Sequence, residues 1–192
     1  MAGIIILISM THEKSAIFID GGYLNQVLKK HFKEKEIDFL KLCENICEKT
    51  ETKRLRTYYY HCLPLQRKDN AEDTRRIQNM EKFLTKLRRL PRFEVKLGRL
   101  QLIGGFFKQK MVDILMSLDI VDLCYSHQIQ HAILVAGDAD FVPAVKQARE
   151  SGAIIHLFYH PETVHHEILD HVDEIHELTN EFIEKCKQKE HS

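Results

Sequence analysis

The stretch that most restricts how this chain can fold is residues 131–143, HAILVAGDADFVP. Five apolar positions, Ala132 to Ala136, end at Gly137, and two carboxylates, Asp138 and Asp140, follow. A short apolar run rich in branched residues and closed by a turn signal reads as a strand buried on both faces. Residues 141–149 then read as a helix, with Pro143 in its first turn and Gly152 just past its end. The two acids therefore fall where a buried strand hands over to a helix. In an open α/β sheet that edge is where ligands bind. One Asp there can simply cap the helix. Two acids in three residues exceed that need, and they repel each other unless a cation lies between them.

The same pattern occurs earlier. Residues 15–20, SAIFID, read as a strand ending on Asp20, followed by Gly21-Gly22 and a helix over 23–32 with Leu24, Val27, Leu28 and Phe32 on one side. Asp20 becomes a third carboxylate at the same kind of edge. Asn25, in the first turn of that helix, is placed to meet substrate or a metal-bound water, or is an ordinary polar surface residue. Residues 109–126 read as one helix, on which Lys110 and Asp113 share a face. That pair is either a surface ion pair worth a few tenths of a kcal/mol, or a fourth carboxylate beside a phosphate-binding lysine. Asp119 lies off that face, and Asp122 is opposite it.

The remaining segments alternate. Helices are expected over 38–49, 71–90, 163–169 and 179–187, and strands over 55–61, 93–103 (kinked at Gly98), 153–159 and, marginally, 173–177. Residues 61–70 read as a loop. Alternating strands and helices predict an α/β fold, a single-domain doubly wound, mostly parallel sheet with helices on both faces. The 192 residues suffice for one such domain.

Net charge is zero, with 28 basic and 28 acidic residues, but the charges are segregated. Residues 53–110 carry 16 basic and 5 acidic side chains, a net of +11, which leaves −11 on the rest. That polarity fits a polyanion-binding surface beside an acidic site, against the alternative of ordinary solvated helix faces. The five cysteines are odd in number and form no CxxC pair, which points to a reducing compartment. Cys43 and Cys47 read as buried helix residues in preference to metal ligands. The apolar run 4–8 is too short for a signal peptide or a membrane span, so a cytoplasmic location is expected. Histidines 160, 165, 166, 171 and 176 crowd the C-terminal region without a zinc-type spacing and read as solvated or packing residues.

With these residues laid out, the chain resembles a NYN domain of the LabA-like branch, within the PIN-like nuclease superfamily. The resemblance rests on FIDGGYL at 18–24, QKMVDILMSLDIV at 109–121 and LVAGDADFVPAVKQARESGAIIHLFY at 134–159. It implies a PIN-like/NYN domain over 14–187, with an extension at 1–13 and a tail at 188–192. It further implies an RNA-cleaving hydrolase that uses Mg²⁺ or Mn²⁺ at Asp20, Asp113, Asp138 and Asp140, with Asp119 as a supporting acid. Two positions depart from the pattern: Tyr23 stands where many relatives have Asn, and Met111 where a small residue, often Gly, is common. One or two hard cations held by oxygen ligands activate water and neutralise phosphate charge. Lys110 is expected at the scissile phosphate. The basic block, chiefly Arg75, Arg76 and Arg99, is expected on the RNA backbone, with tyrosines available for base stacking. The alternative is a NYN module that binds RNA or a protein partner in a regulatory role with little or no cleavage. A phosphatase with an Asp nucleophile is disfavoured because Gly22 stands where its second Asp belongs, and no phosphate-binding GxxxxGK loop exists. A homodimer is the generic expectation.

Overall fold

The structure, a computed structural model, describes residues 12–33, 36–63, 70–103 and 106–187; for 99–103 and 106–110 it describes the backbone. The apolar run at 4–8, most of the loop expected at 61–70, the Gly104-Gly105 pair and the 188–192 tail lie outside these residues.

Seven strands form one sheet: β1 (Lys14–Asp20), β2 (Lys53–Cys62), β3 (Phe93–Ile103), β4 (Phe106–Lys110), β5 (His131–Val135), β6 (Ile154–Tyr159) and β7 (Glu174–Glu177). Their order is β4-β3-β2-β1-β5-β6-β7. Six strands run parallel, and β4 returns antiparallel along β3. From β1 the chain winds outward through β2 and β3, then crosses back to β5 and winds the other way. The switch point lies between the carboxyl ends of β1 and β5. The α/β class, the doubly wound sheet and nearly every element agree with the sequence reading.

The two central strands are apolar throughout because both of their faces are covered. Ala16 to Ile19 and Ala132 to Val135 have no solvent exposure. On one face Phe18, Tyr58, Tyr60 and Leu134 pack with α4 (Val112–Tyr125) and α5 (Val142–Glu150). On the other, Ile17, Ile19, Tyr59, Ile133 and Val135 pack under α1 (Gly21–His31), α2 (Phe39–Lys49), α3 (Ala71–Arg88) and α7 (Asn180–Lys185). A short α6 (His166–Leu169) completes the set, with Ile168 in the first core. Each large apolar side chain so buried stabilises the fold by roughly 1.5–3 kcal/mol. Asp38, Asn70 and Thr179 accept backbone N–H groups at the starts of α2, α3 and α7.

One expectation needs correction. The helix expected from residue 109 starts at Val112, because Phe106–Lys110 pairs with Arg99–Ile103 as a hairpin. Met111 breaks the run with φ = 79°, in the left-handed region. Lys110 therefore ends a strand and does not share a helical face with Asp113. Lys110 sits directly opposite Arg99 in the hairpin register. The hairpin begins beyond Gly98, the last β3 residue paired with β2, so it overhangs the carboxyl edge of the sheet.

Candidate active site

The carboxyl edge at the switch point gathers the acids. Asp20 ends β1, Asp138 and Asp140 follow β5, and Asp113 lies in the first turn of α4. Asp20 Oδ1 accepts the backbone N–H groups of Gly22 (2.9 Å) and Tyr23 (3.1 Å), capping α1. Asp138 Oδ1 accepts the N–H of Asp140 at 3.1 Å and caps a short 3₁₀ turn over Ala139–Phe141. Both acids do cap, as the simpler reading held, but each does so through one oxygen, which leaves Oδ2 for a ligand.

Two of the four acids feel the charge of the others. Burial pushes the Asp20 carboxyl above its usual range, and the charges of Asp113 and Asp138 push it further, against the two capping N–H groups. Asp113 is likewise raised, by burial and then by Asp138 and Asp140. Asp20 and Asp113 thus sit in the negative field of their neighbours. Among the described residues, no lysine or arginine forms an ion pair with any of the four. Four carboxylates gathered at one sheet edge are hard oxygen donors of the kind suited to a divalent ion such as Mg²⁺ or Mn²⁺. Their oxygens are more widely spaced than one ion's direct shell. Capture by several of them requires the exposed Asp138 and Asp140 side chains to turn inward.

Two glycines let the backbone come this close. A Cβ on Gly21 would strike the Tyr59 ring, and one on Gly137 would strike the Tyr23 ring and the Thr163 carbonyl oxygen. Tyr23, the departure noted above, thus has a structural task. Its hydroxyl accepts from the His160 N–H at 2.8 Å and the Thr163 hydroxyl at 3.3 Å, fastening the loop after β6 over Gly137.

The other expected residues separate into groups. Asp119 is held by the Tyr60 hydroxyl (2.6 Å) and the Lys96 ammonium (2.7 Å). Burial and this bond keep the Tyr60 phenol well above its ordinary value, so it donates. Asp119 thereby ties α4 to β2 and β3, a role the sequence did not reveal because its partners lie on other strands. Asn25 is half-buried, lines an apolar groove with Leu28, Phe39, Phe83 and Leu87, and faces the sealed Tyr59 hydroxyl. Its contacts do not tie it to the acids. Arg75 and Arg76 are exposed near the start of α3, which begins at the carboxyl edge of the sheet; Arg76 meets Glu72 at 2.8 Å. Arg99 and Lys110 are backbone register partners at the base of the hairpin.

Comparison with known proteins now decides the family. A NYN domain model matches residues 14–179. The chain belongs to the NYN domain family. NYN domains form part of the PIN-like nuclease superfamily, whose members generally use divalent ions. No curated protein matches the chain. Among solved structures, this NYN domain is similar to a protein of unknown function from Vibrio parahaemolyticus RIMD 2210633, with a TM-score of 0.68 at 20% identity over 91% of this chain and 98% of the other. At that identity the likeness speaks for the fold. Among the described residues, no helix of this NYN domain is long and apolar enough to cross a membrane.

Proposed function

We propose that this NYN domain, of the LabA-like branch, is a metal-dependent ribonuclease that hydrolyses RNA phosphodiester bonds at the carboxyl edge of its sheet. The observation that supports the reading is the convergence of Asp20, Asp113, Asp138 and Asp140, from three separate stretches of chain, on the carboxyl edge at the switch point, where the neighbouring acids raise Asp20 and Asp113. Asp20, Asp138 and Asp140 hold Mg²⁺ or Mn²⁺, and Asp113 completes the negative field. The ion supplies an activated water and charge neutralisation at the phosphate. The protein's own residues position the RNA. Lys110 and Arg99, at the base of the overhanging hairpin, meet the phosphate nearest the acids. Arg75 and Arg76 engage the backbone further along, each as a salt-sensitive contact. Asp119 acts as a positioning residue, through Tyr60 and Lys96, on the helix that carries Asp113.

The test is cleavage of single-stranded and structured RNA in Mg²⁺, Mn²⁺ or chelator by the full chain and by Asp138→Asn. Asn preserves the cap on the 3₁₀ turn and removes the charge. The expected result is loss of at least about 100-fold in cleavage, with RNA binding in chelator unchanged. Undiminished cleavage by Asp138→Asn refutes the assignment. Salt-dependent RNA binding by the wild-type chain without turnover in either metal means the domain is a regulatory RNA-binding module instead.

A further inference from the structure

A second cluster lies on the α1/α2/α7 face of the sheet, toward the amino ends of β5, β6 and β7. His156 pairs with Glu174 in the β6–β7 register, and His176 follows two residues later, on the same side of β7. His156 Nδ1, His176 Nε2 and Glu174 Oε2 form a triangle. Its edges are 3.3 Å between the two nitrogens, 3.2 Å from His156 to Glu174, and 3.6 Å from His176 to Glu174. A tetrahedral ion with ligands at its usual distances of about 2.0–2.2 Å needs donor separations of about 3.3–3.6 Å. The triangle matches one face of such a tetrahedron.

We propose that His156, His176 and Glu174 form a site for a borderline transition-metal ion of the Zn²⁺ class, with a fourth position open to solvent. Proton accounting supports the ion over a plain hydrogen-bonded cluster. Glu13 Oε2 lies 2.7 Å from His131 Nε2, and in the neutral tautomer that donates to this carboxylate His131 carries its proton on Nε2. In that tautomer His131 Nδ1 accepts from His156 Nε2, 2.8 Å away. That leaves His156 Nδ1 as a lone pair aimed at the Glu174 carboxylate, acceptor against acceptor. A proton on His176 Nε2 satisfies only one of the two acceptors, at the long separations above. A dication satisfies all three.

The surroundings fit as well. His156 is 2% and His176 10% exposed by side chain, whereas Glu174 is 54% exposed and opens the fourth position to water. His176 is stacked on Phe158 at 4.6 Å between ring centroids, which fixes its orientation. The Glu13–His131–His156 chain is the outer-sphere arrangement that orients a metal-bound imidazole and raises its basicity. Two imidazoles and one carboxylate select Zn²⁺ over the hard ions suited to the aspartates. The consequence is mechanical. β7 is a four-residue edge strand, and the ion would clamp it to β6 and hold α7 behind it.

The test titrates chelator-treated full-length protein with Co²⁺, a spectroscopic substitute for Zn²⁺, in wild type, Glu174→Gln, His176→Gln and Asp138→Asn. Wild type and Asp138→Asn should show one equivalent of tetrahedral-type visible bands, displaced by one equivalent of Zn²⁺. Both cluster variants should lose at least about tenfold in affinity. Glu174→Gln is nearly isosteric at an exposed side chain, and unchanged circular dichroism and unchanged RNA cleavage will show that fold and acid edge persist. Zn²⁺ should raise the Tm of wild type and not of Glu174→Gln. No stoichiometric bands in wild type, bands that survive both cluster variants, or bands lost only in Asp138→Asn each overturn the proposal.

Discussion

The substitution Gly21→Ala probes how the fold presents Asp20. A Cβ at Gly21 would lie 2.5 Å from the Tyr59 hydroxyl oxygen and 2.7 Å from Cε1, with Cζ closer still. Tyr59 is fully buried, hemmed by Phe39 and Phe83 at ring separations of 5.7 and 5.8 Å. With the ring held between these neighbours, the start of α1 must move. Overpacking of this kind costs about 1–3 kcal/mol, and the closed aromatic surroundings put this case near 3. Asp20 moves with the helix, since its carboxylate is bonded to the Gly22 and Tyr23 N–H groups. A displacement near 1 Å at a reacting centre costs on the order of 100-fold in rate. Urea unfolding and RNA cleavage measure both effects. Gly22→Ala is the control, because its Cβ meets only Asp20 Oδ1, at 3.2 Å; it should stay within about 1 kcal/mol of wild type. A double-mutant cycle with Tyr59→Leu should show a coupling above about 1 kcal/mol. A loss under about 1 kcal/mol for Gly21→Ala, with cleavage intact, refutes the reasoning.

Two further predictions concern strain and charge. Met111 holds φ = 79° with a 44% exposed side chain; left-handed backbone costs a non-glycine residue about 1–2 kcal/mol, so Met111→Gly should raise the unfolding free energy by about 0.5–1 kcal/mol after the added chain entropy, and a loss in urea titration contradicts the assignment of strain. Asp20 and Asp113 have folded-state pKa values above their unfolded ones. The stability they contribute is full below the unfolded value near 3.8 and is lost as pH rises through the raised values. In chelator, wild-type stability minus that of Asp20→Asn should therefore fall across that window and recover on adding Mn²⁺; a difference independent of pH and Mn²⁺ contradicts it.

How much of this was legible in the sequence depended on whether a signal was local. Buried parallel strands need apolar residues on both faces, so SAIFID and HAILVA stood out, and the chain's turn toward solvent after each exposed Asp20 and Asp138. The 3₁₀ turn at Ala139–Phe141 shifted only the start of α5. The β3–β4 hairpin escaped because the helical spacing of residues 112–125 extends backwards through Lys110, and only Met111's left-handed backbone interrupts it. Met111 stands where the resemblance expects a small residue, often glycine, and it adopts the left-handed backbone that favours glycine. Asp119 and the histidines illustrate the other limit. Asp119 finds Tyr60 and Lys96 across the sheet, and His156 meets His176 and Glu174 only through strand register. The histidine reading rested on spacing within residues 160–176 and omitted His156, the buried member. Ion-binding geometry made by parallel strands carries no fixed spacing, because the crossover between them varies in length.

The central claim is that aspartates from three stretches of chain share one dication at the carboxyl edge. Anomalous diffraction from crystals of this NYN domain soaked in Mn²⁺ tests it most directly. The expected result is a peak bonded to carboxylate oxygens of Asp20, Asp138 and Asp140, with Asp113 turned toward it, absent from Asp138→Asn crystals. Ordered Mn²⁺ elsewhere with none at this edge would contradict it.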